Sequence, residues 1–274
     1  MARRDGLKVA MVTGAGSGLG RAVCLALGAR NWTVYATDLR LEAAQETLAL
    51  LRGKGGEGRA AALDVRDAAA LEALAATIWE EQGRCDLVVN NAGVAVAGEV
   101  GKVSLEDWRW CLDIDLYGPI HGCHVFAPRL RAQGFGHIVN VASIAGIAHA
   151  VRMGPYNVAK AGVISLSETL RAELLGSGVG VTAVCPAFFP TNIAQNMRSH
   201  RDGERAAAQR FLDRATITAD DVAAAILKAV ERNEPYVIMP REAQLIFWLR
   251  RLFPAYTTEL FRWVADRRAN TASA

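Results

Sequence analysis

The chain has 274 residues, 51% hydrophobic and 22% charged, with 25 Gly and 8 Pro, a globular composition that excludes disorder and collagen-like repeats. Lys and Arg total 31 against 28 Asp and Glu, and a formal charge of +3 is too even for a phosphate-backbone surface, so no nucleic-acid partner is expected. Five scattered cysteines in apolar stretches read as reduced core thiols. With no signal-peptide core and no run of ~18 apolar residues, they lead to an expected cytoplasmic location.

Residues 8–13 (KVAMVT) form a short β-branched apolar run, as in a strand buried on both faces of a parallel sheet. Glycines follow, and then Ala22, Val23, Leu25, Ala26 and Leu27 recur at helical spacing over 21–30. A second strand (33–37) leads to a helix (41–51) stopped by the glycines at 53, 55 and 56. The alternation continues with a strand at 60–65, a helix at 68–81, a strand at 86–89 and one long helix at 105–131. A strand at 136–142, a helix at 156–175 and a strand at 179–185 come next. Repeated β-α units with short connections predict an α/β fold, a single doubly wound parallel sheet of about seven strands with helices on both faces. Residues of about 187–215 read as a loop inserted before a last helix (219–231) and strand (236–239). Residues 1–240 are thus expected to form one domain, and 241–274 an apolar and basic helical extension.

Between the first strand and helix lies Thr13-Gly14-Ala15-Gly16-Ser17-Gly18-Leu19-Gly20. Glycines there let the backbone turn sharply and approach a ligand, while the open N–H groups and positive dipole of a helix start suit a pyrophosphate. Asp38, at the end of the second strand and twenty residues past Gly18, can accept hydrogen bonds from both adenosine ribose hydroxyls and repels a 2′-phosphate. Arg21 and Arg40 argue the other way, since either can pair with that phosphate. The expected cofactor is NAD in preference to NADP.

Tyr156 and Lys160 stand four apart in a helical pattern and share a face, with Ser143 thirteen residues upstream of Tyr156 at a strand end. Tyrosine ionises near pH ~10, and an ammonium ~4 Å away contributes ~4 kcal/mol at an effective dielectric of ~20, equivalent to ~3 pKa units. On that arithmetic Lys160 brings Tyr156 close to neutrality. A bare Tyr-x-x-x-Lys is usually an exposed helix face, so the surrounding pattern has to carry the reading.

That pattern resembles the classical short-chain dehydrogenase/reductase family from about residue 6 to 239. The matching motifs are TGAGSGLG at 13–20, Asp38, Asp64-Val65, Asn90-Asn91-Ala92-Gly93, Ser143, Tyr156-x-x-x-Lys160 and the stretch 186–191. The resemblance implies a Rossmann-type fold and an NAD(P)(H)-dependent oxidoreductase interconverting a secondary alcohol and a ketone. It implies Gly14, Ser17, Gly18, Leu19 and Gly20 against the cofactor, Asp64 and Val65 beside the adenine, and Asn91 and Gly93 beside the ribose. The Phe189 backbone and Thr191 would meet the nicotinamide carboxamide. Lys160 would also hold the nicotinamide ribose, Ser143 would bond the substrate oxygen, and Tyr156 would exchange its proton. No metal is expected, because His121 and His124 lack a third ligand. Family helices pair across an interface, which implies a homodimer or homotetramer through 105–131 and 156–175.

Two positions depart from the family pattern. In Trp108…Asp115-Leu116-Tyr117-Gly118 an aspartate replaces the usual Asn, which normally anchors a water in the proton relay, and a carboxylate near Lys160 would tie up its charge. Two rival readings follow: a non-catalytic dinucleotide-binding scaffold or redox sensor, and an NADPH-dependent carbonyl reductase. Pro186-Ala187 also stands where Pro-Gly is usual. Phe188, Phe189, Ile193, Met197 and Phe211 favour a small hydrophobic alcohol or ketone as substrate. Residues 245–264 concentrate Leu, Ile, Phe and Trp beside Arg241, Arg250, Arg251, Arg262, Arg267 and Arg268, like a basic amphipathic helix pair broken at Pro254. Such a pair would pack on its own domain or a sister subunit, cover the substrate, or make peripheral contact with a membrane.

Overall fold

The computed structural model describes residues 7–199, 203–213, 215–253 and 257. The apolar run after residue 8 forms β1 (Val9–Thr13), which feeds α1 (Gly18–Gly28), β2 (Thr33–Asp38), α2 (Leu41–Arg52), β3 (Glu57–Ala62), α3 (Ala68–Gln82) and β4 (Leu87–Asn90). A two-residue strand β5 (Val96–Ala97) precedes α4 (Leu105–Leu112), a π-helical turn (Asp113–Tyr117) and α5 (Gly118–Gln133). Then come β6 (Gly136–Val141), a short α6 (Ala145–Ala148), α7 (Gly154–Glu173) and β7 (Val179–Pro186). The chain continues through a 3-10 turn (Asn192–Ala194), β8 (Arg198–Ser199), α8 (Glu204–Asp213), α9 (Ala219–Arg232), β9 (Tyr236–Met239) and α10 (Arg241–Leu252).

The main sheet is seven-stranded and parallel, in the order β3-β2-β1-β4-β6-β7-β9. Its winding reverses between β1 and β4, which opens a crevice at their carboxyl ends. Strand alternation divides the core into two layers. Ala10 and Val12 face Leu27, Leu48 and Ile226, while Val9 and Met11 face Leu71, Phe126 and Leu170. Burying each such large side chain stabilises the fold by ~1.5–3 kcal/mol, so both layers hold the crevice walls in place.

The structure differs from the sequence expectations at several places, the first being 187–215, expected as a loop, which holds α8 as well as the 3-10 turn and β8. The third strand is 57–62 rather than 60–65, because it is an edge strand paired only with Thr33–Asp38, and that register admits Glu57 and Arg59. The helix expected over 105–131 contains the π-helical turn and runs on to Gln133. The helix expected from 156 begins at Gly154, with Pro155 in its first turn, where a missing N–H costs nothing. Finally, β5 pairs with β8 in a separate two-stranded sheet, with Val96 opposite Arg198 and Ala97 opposite Ser199. Two residues per strand are too few to show periodicity.

Phe247 of α10 packs with Ala142, Ile147, Val163, Ala183 and Cys185, so the start of the C-terminal extension rests on the sheet's own layer. The second helix of the expected pair, beyond 253, lies outside the described residues apart from Thr257, as does the side chain of Phe211. All five cysteines are buried, and burial pushes the Cys24, Cys85, Cys123 and Cys185 thiols up to about 12, which leaves them protonated core residues.

Candidate active site

The glycine loop is shaped by contacts that leave no room for a side chain. Gly14 and Gly18 adopt φ of +62° and +51°, the left-handed region that favours glycine. A Cβ on Gly20 would lie 2.2 Å from the Gly14 carbonyl oxygen, and one on Gly16 would lie 2.7 Å from Asp38 Oδ2. Asn91 ties the loop to β4. Its Nδ2 donates to the Thr13 carbonyl (2.8 Å) and the Gly14 carbonyl (3.2 Å), and Thr13 Oγ1 accepts from the Asn91 and Ala92 amides. The Asn91 Nδ2 is thus engaged by the loop, which makes this side chain a support for the crevice.

Ser17 precedes α1 without a capping side-chain bond, Leu19 is buried, and no acidic residue stands in the first turn of α1. That helix start keeps its positive end for an anion, and with the close-packed glycines it fits a dinucleotide pyrophosphate. Asp38 lies alongside, Oδ2 accepting from the Gly16 amide (2.9 Å) and Oδ1 from the Arg40 amide (3.1 Å). Arg21 is engaged by Thr47 Oγ1 (3.0 Å), Glu46 (3.0 Å) and the Gly16 carbonyl, which directs it along α2. Arg40 is exposed.

Asp64 is clasped by the Arg66 guanidinium, whose hydrogen bonds hold its carboxyl below the usual range. Val65 is buried under Gly118, where a Cβ would lie 2.9 Å from Val65 Cγ2, and its carbonyl is 3.0 Å from His121 Nδ1. On the far side of the crevice, Phe189 is buried against the β7 layer and Thr191 caps the 3-10 turn. A Cβ on Gly18 would meet Thr191 at 3.7 Å, so the loop after β7 closes against the glycine loop.

Ser143, just past β6, stands beside the Tyr156 phenol, which it pulls toward the ionised form, and its hydroxyl accepts from the Ala145 amide (3.1 Å). Lys160, one turn along α7, points under the Tyr156 ring with Nζ 5.6 Å from its centre. That ammonium donates to the Val141 carbonyl at 3.1 Å and lies 3.1 Å from Asp115 Oδ2. The π-helical turn directs Asp115 inward, where it is fully buried and accepts from the Val94 amide at 2.7 Å. Gly93 leaves room for the pair, since a Cβ there would come within 3.3 Å of Nζ.

Electrostatics here run against the expectation of a near-neutral tyrosine. Burial pushes the Tyr156 phenol above its ordinary value; Lys160 pulls it down, but Asp115 pushes it up again. Burial also raises the Asp115 carboxyl, with Lys160 opposing. For Lys160 burial alone would lower the ammonium, yet Asp115 and Tyr156 hold it above the usual lysine range. The simple two-charge arithmetic omitted both the desolvation of the phenol and the third charge.

A supporting network was not anticipated. Asn90 Nδ2 donates to Asn140 Oδ1 (2.7 Å), Asn140 Nδ2 to Ser167 Oγ (3.0 Å), and Ser167 to the Val163 carbonyl (2.7 Å). It ties β4 and β6 to α7, the helix that carries Tyr156 and Lys160. The available signal was an Asn in each of two apolar strand runs at matching register.

One wall beside Tyr156 is apolar, with Ala95, Ala97 and Met197 buried and Met153 and Ile193 packed on them. Phe188 is exposed. Arg198 fastens this wall to α4, lying 4.0 Å from the Trp110 ring centre and 2.7 Å from Asp107. Among the described residues no group of three or more His, Cys, Asp or Glu is arranged to hold a metal.

The family model described as short chain dehydrogenase matches residues 8–202. A protein of Mycobacterium tuberculosis named "Probable oxidoreductase EphD" is 35% identical over 252 residues, covering 89% of this chain but 43% of its own length, so the chain spans less than half of that relative. The D-threitol dehydrogenase of Mycolicibacterium smegmatis is 39% identical over 191 residues, 70% of this chain and 73% of its own. The solved structure of a short chain dehydrogenase/reductase from Burkholderia phymatum in complex with NAD superposes with a TM-score of 0.85 at 34% identity, covering 92% of this chain and 95% of that one.

Proposed function

Because this chain belongs to the short-chain dehydrogenase family and is an oxidoreductase of that family, we propose that it interconverts a secondary alcohol and a ketone on a small hydrophobic substrate, with NAD preferred over NADP. The observation that carries the reading is the convergence of Ser143, Tyr156 and Lys160 at the end of β6, beside a glycine loop. In the oxidative direction Tyr156 Oη takes the alcohol proton, and in the reductive direction it returns one. Ser143 Oγ holds the substrate oxygen and stabilises the charge that develops there. Lys160 favours the phenolate, and Asp115 offsets part of that effect. The apolar wall of Ala95, Ala97, Met153, Ile193 and Met197 excludes water and suits an apolar substrate.

The nicotinamide, when bound, supplies or accepts the hydride. Gly14, Ser17, Gly18, Leu19 and Gly20 would hold the dinucleotide pyrophosphate, Asp38 the adenosine ribose, and Asp64 and Val65 the adenine. Asn91, Gly93 and Lys160 would serve the nicotinamide ribose, with Phe189 and Thr191 for the carboxamide. The Asp38 carboxylate supports the preference for NAD, as does the NAD complex of the Burkholderia phymatum protein. Exposed Leu105, Tyr117, Val158 and Leu175 on and beside α4, α5 and α7 support a homodimer or homotetramer through these helices. Residues 1–240 act as the catalytic unit, 241–274 as its extension, and the cytoplasm as its location. No helix among the described residues is long and apolar enough to cross a membrane.

The test is turnover of a panel of hydrophobic secondary alcohols with NAD and with NADP, in the wild type and in Tyr156→Phe. NAD should support turnover at the lower concentration, and the variant should lose roughly 10²- to 10⁴-fold in kcat with cofactor affinity little changed. Near-normal turnover by Tyr156→Phe would reject the mechanism and revive the scaffold or sensor reading.

A further inference from the structure

α10 is buried on one side and apolar on the other. Ala243 and Phe247 face the domain, Phe247 5.4 Å from the Tyr236 ring. Arg251 lies over Phe247 and 3.6 Å from Glu168, while Arg250 reaches His149 Nδ1 at 3.0 Å. These contacts fix the rotation of the helix. At spacings of three and four residues, Leu245 (63% exposed), Trp248 (57%) and Leu252 (65%) then form a stripe on the opposite side, with Phe253 (52%) at its end. A helix already packed on one face ordinarily turns polar residues outward, so this second apolar face needs an occupant.

Charge identifies the occupant. Residues 241–274 hold six arginines against Glu242, Glu259 and Asp266, so this extension carries the whole formal charge of +3, and the other 240 residues balance. Arg241 begins the outward stripe itself. Two copies meeting through this extension, each carrying a net charge of +3 in it, would bring positive against positive, which disfavours self-association there. An anionic lipid surface satisfies both features, taking the Leu and Trp side chains at the headgroup boundary and Arg241 at the phosphates.

We propose that the outward face of α10 seats the protein peripherally on anionic bilayers, with Leu245, Trp248 and Leu252 entering the interface. The surface adjoins the reactive region, because α10 rests on α6, directly after Ser143, and Arg250 contacts His149 between Ser143 and Tyr156. The proposal does not depend on the catalytic reading, and its readout is lipid binding without turnover.

The experiment is co-sedimentation of the full chain with vesicles of phosphatidylcholine alone and of phosphatidylcholine mixed with phosphatidylglycerol, at low and high salt. Binding should be at least about tenfold tighter to the anionic vesicles and should weaken with salt. Leu245→Asp with Trp248→Asp should weaken it by about tenfold or more while Tm and oligomeric state, by light scattering, stay unchanged. Should the aspartates impair folding, Leu245→Gln with Trp248→Gln provides the same comparison without new charge. Absent binding to the anionic vesicles, equal binding to both compositions, or equal binding by wild type and the folded variant would each overturn the proposal. A variant that dissociates an oligomer and leaves lipid binding intact would assign the stripe to a second copy instead.

Discussion

The two sides of the crevice are built from different materials. Around the glycine loop the constraints are mostly backbone against backbone: Gly20 against the Gly14 carbonyl, Gly14 against Ala92, Asn91 on the Thr13 carbonyl. Opposite, the wall beside Tyr156 is fastened by long side chains and by two-residue strands, with Arg198 reaching back to Asp107 and Trp110. Glycines at which a Cβ would meet backbone at 2–3 Å admit no substitute, whereas a guanidinium on a flexible stem can be replaced and the wall can repack. The glycine-loop side therefore tolerates the least change, and the wall beside Tyr156 is where side chains can vary at small cost to the fold.

The strongest way to break this contrast is Gly20→Ala. Its methyl meets the Gly14 carbonyl and Asn91 Nδ2 with no free space, so a loss of ~1–3 kcal/mol or more is expected, together with loss of dinucleotide binding. Thermal unfolding and a cofactor titration check both. A variant with wild-type Tm and affinity would show that the loop yields as readily as the wall does.

Asp115→Asn probes the boundary between the two sides. Asp115 contributes to raising the Tyr156 phenol and neutralises Lys160, so replacing its charge should lower the phenol. Oxidation needs the phenolate, and kcat for alcohol oxidation should then rise with pH at lower pH than in the wild type, with a gain at neutral pH. An unchanged or upward-shifted profile would argue that the carboxylate does not act through Lys160.

The smallest effect is expected from Arg198→Ala. The arginine is partly exposed, so losing its ion pair and its Trp110 contact should cost about 1 kcal/mol or less. KM for an apolar substrate should rise more than kcat falls, as measured by initial rates with saturating cofactor. An equal fall in kcat would place Arg198 in the chemistry instead of the wall.

Much of the fold was legible because its signals are local. The alternation of apolar strands and amphipathic helices predicts the doubly wound sheet, and the β1 run, the glycine loop and Asp38 stand within thirty-one residues of one another. Tyr156 and Lys160 share a face through helical spacing alone. The third strand was misplaced because an edge strand lacks the apolar run that marks a central one, and its span follows from pairing with β2. Nothing in 105–131 announces a π-helical turn, since that sequence suits ordinary helix as well.

The amino-acid sequence by itself determined the architecture, the family and which side chains converge on the end of β6, because periodicity and motif spacing are properties of neighbours along the chain. Only the tertiary structure decided that the Tyr156 phenol is raised by its burial, that Lys160 answers to a buried Asp115, and that β5 meets β8 a hundred residues away. It alone decided which face of α10 turns outward. These depend on desolvation and on contacts between distant segments, quantities that come into being only when the chain closes on itself.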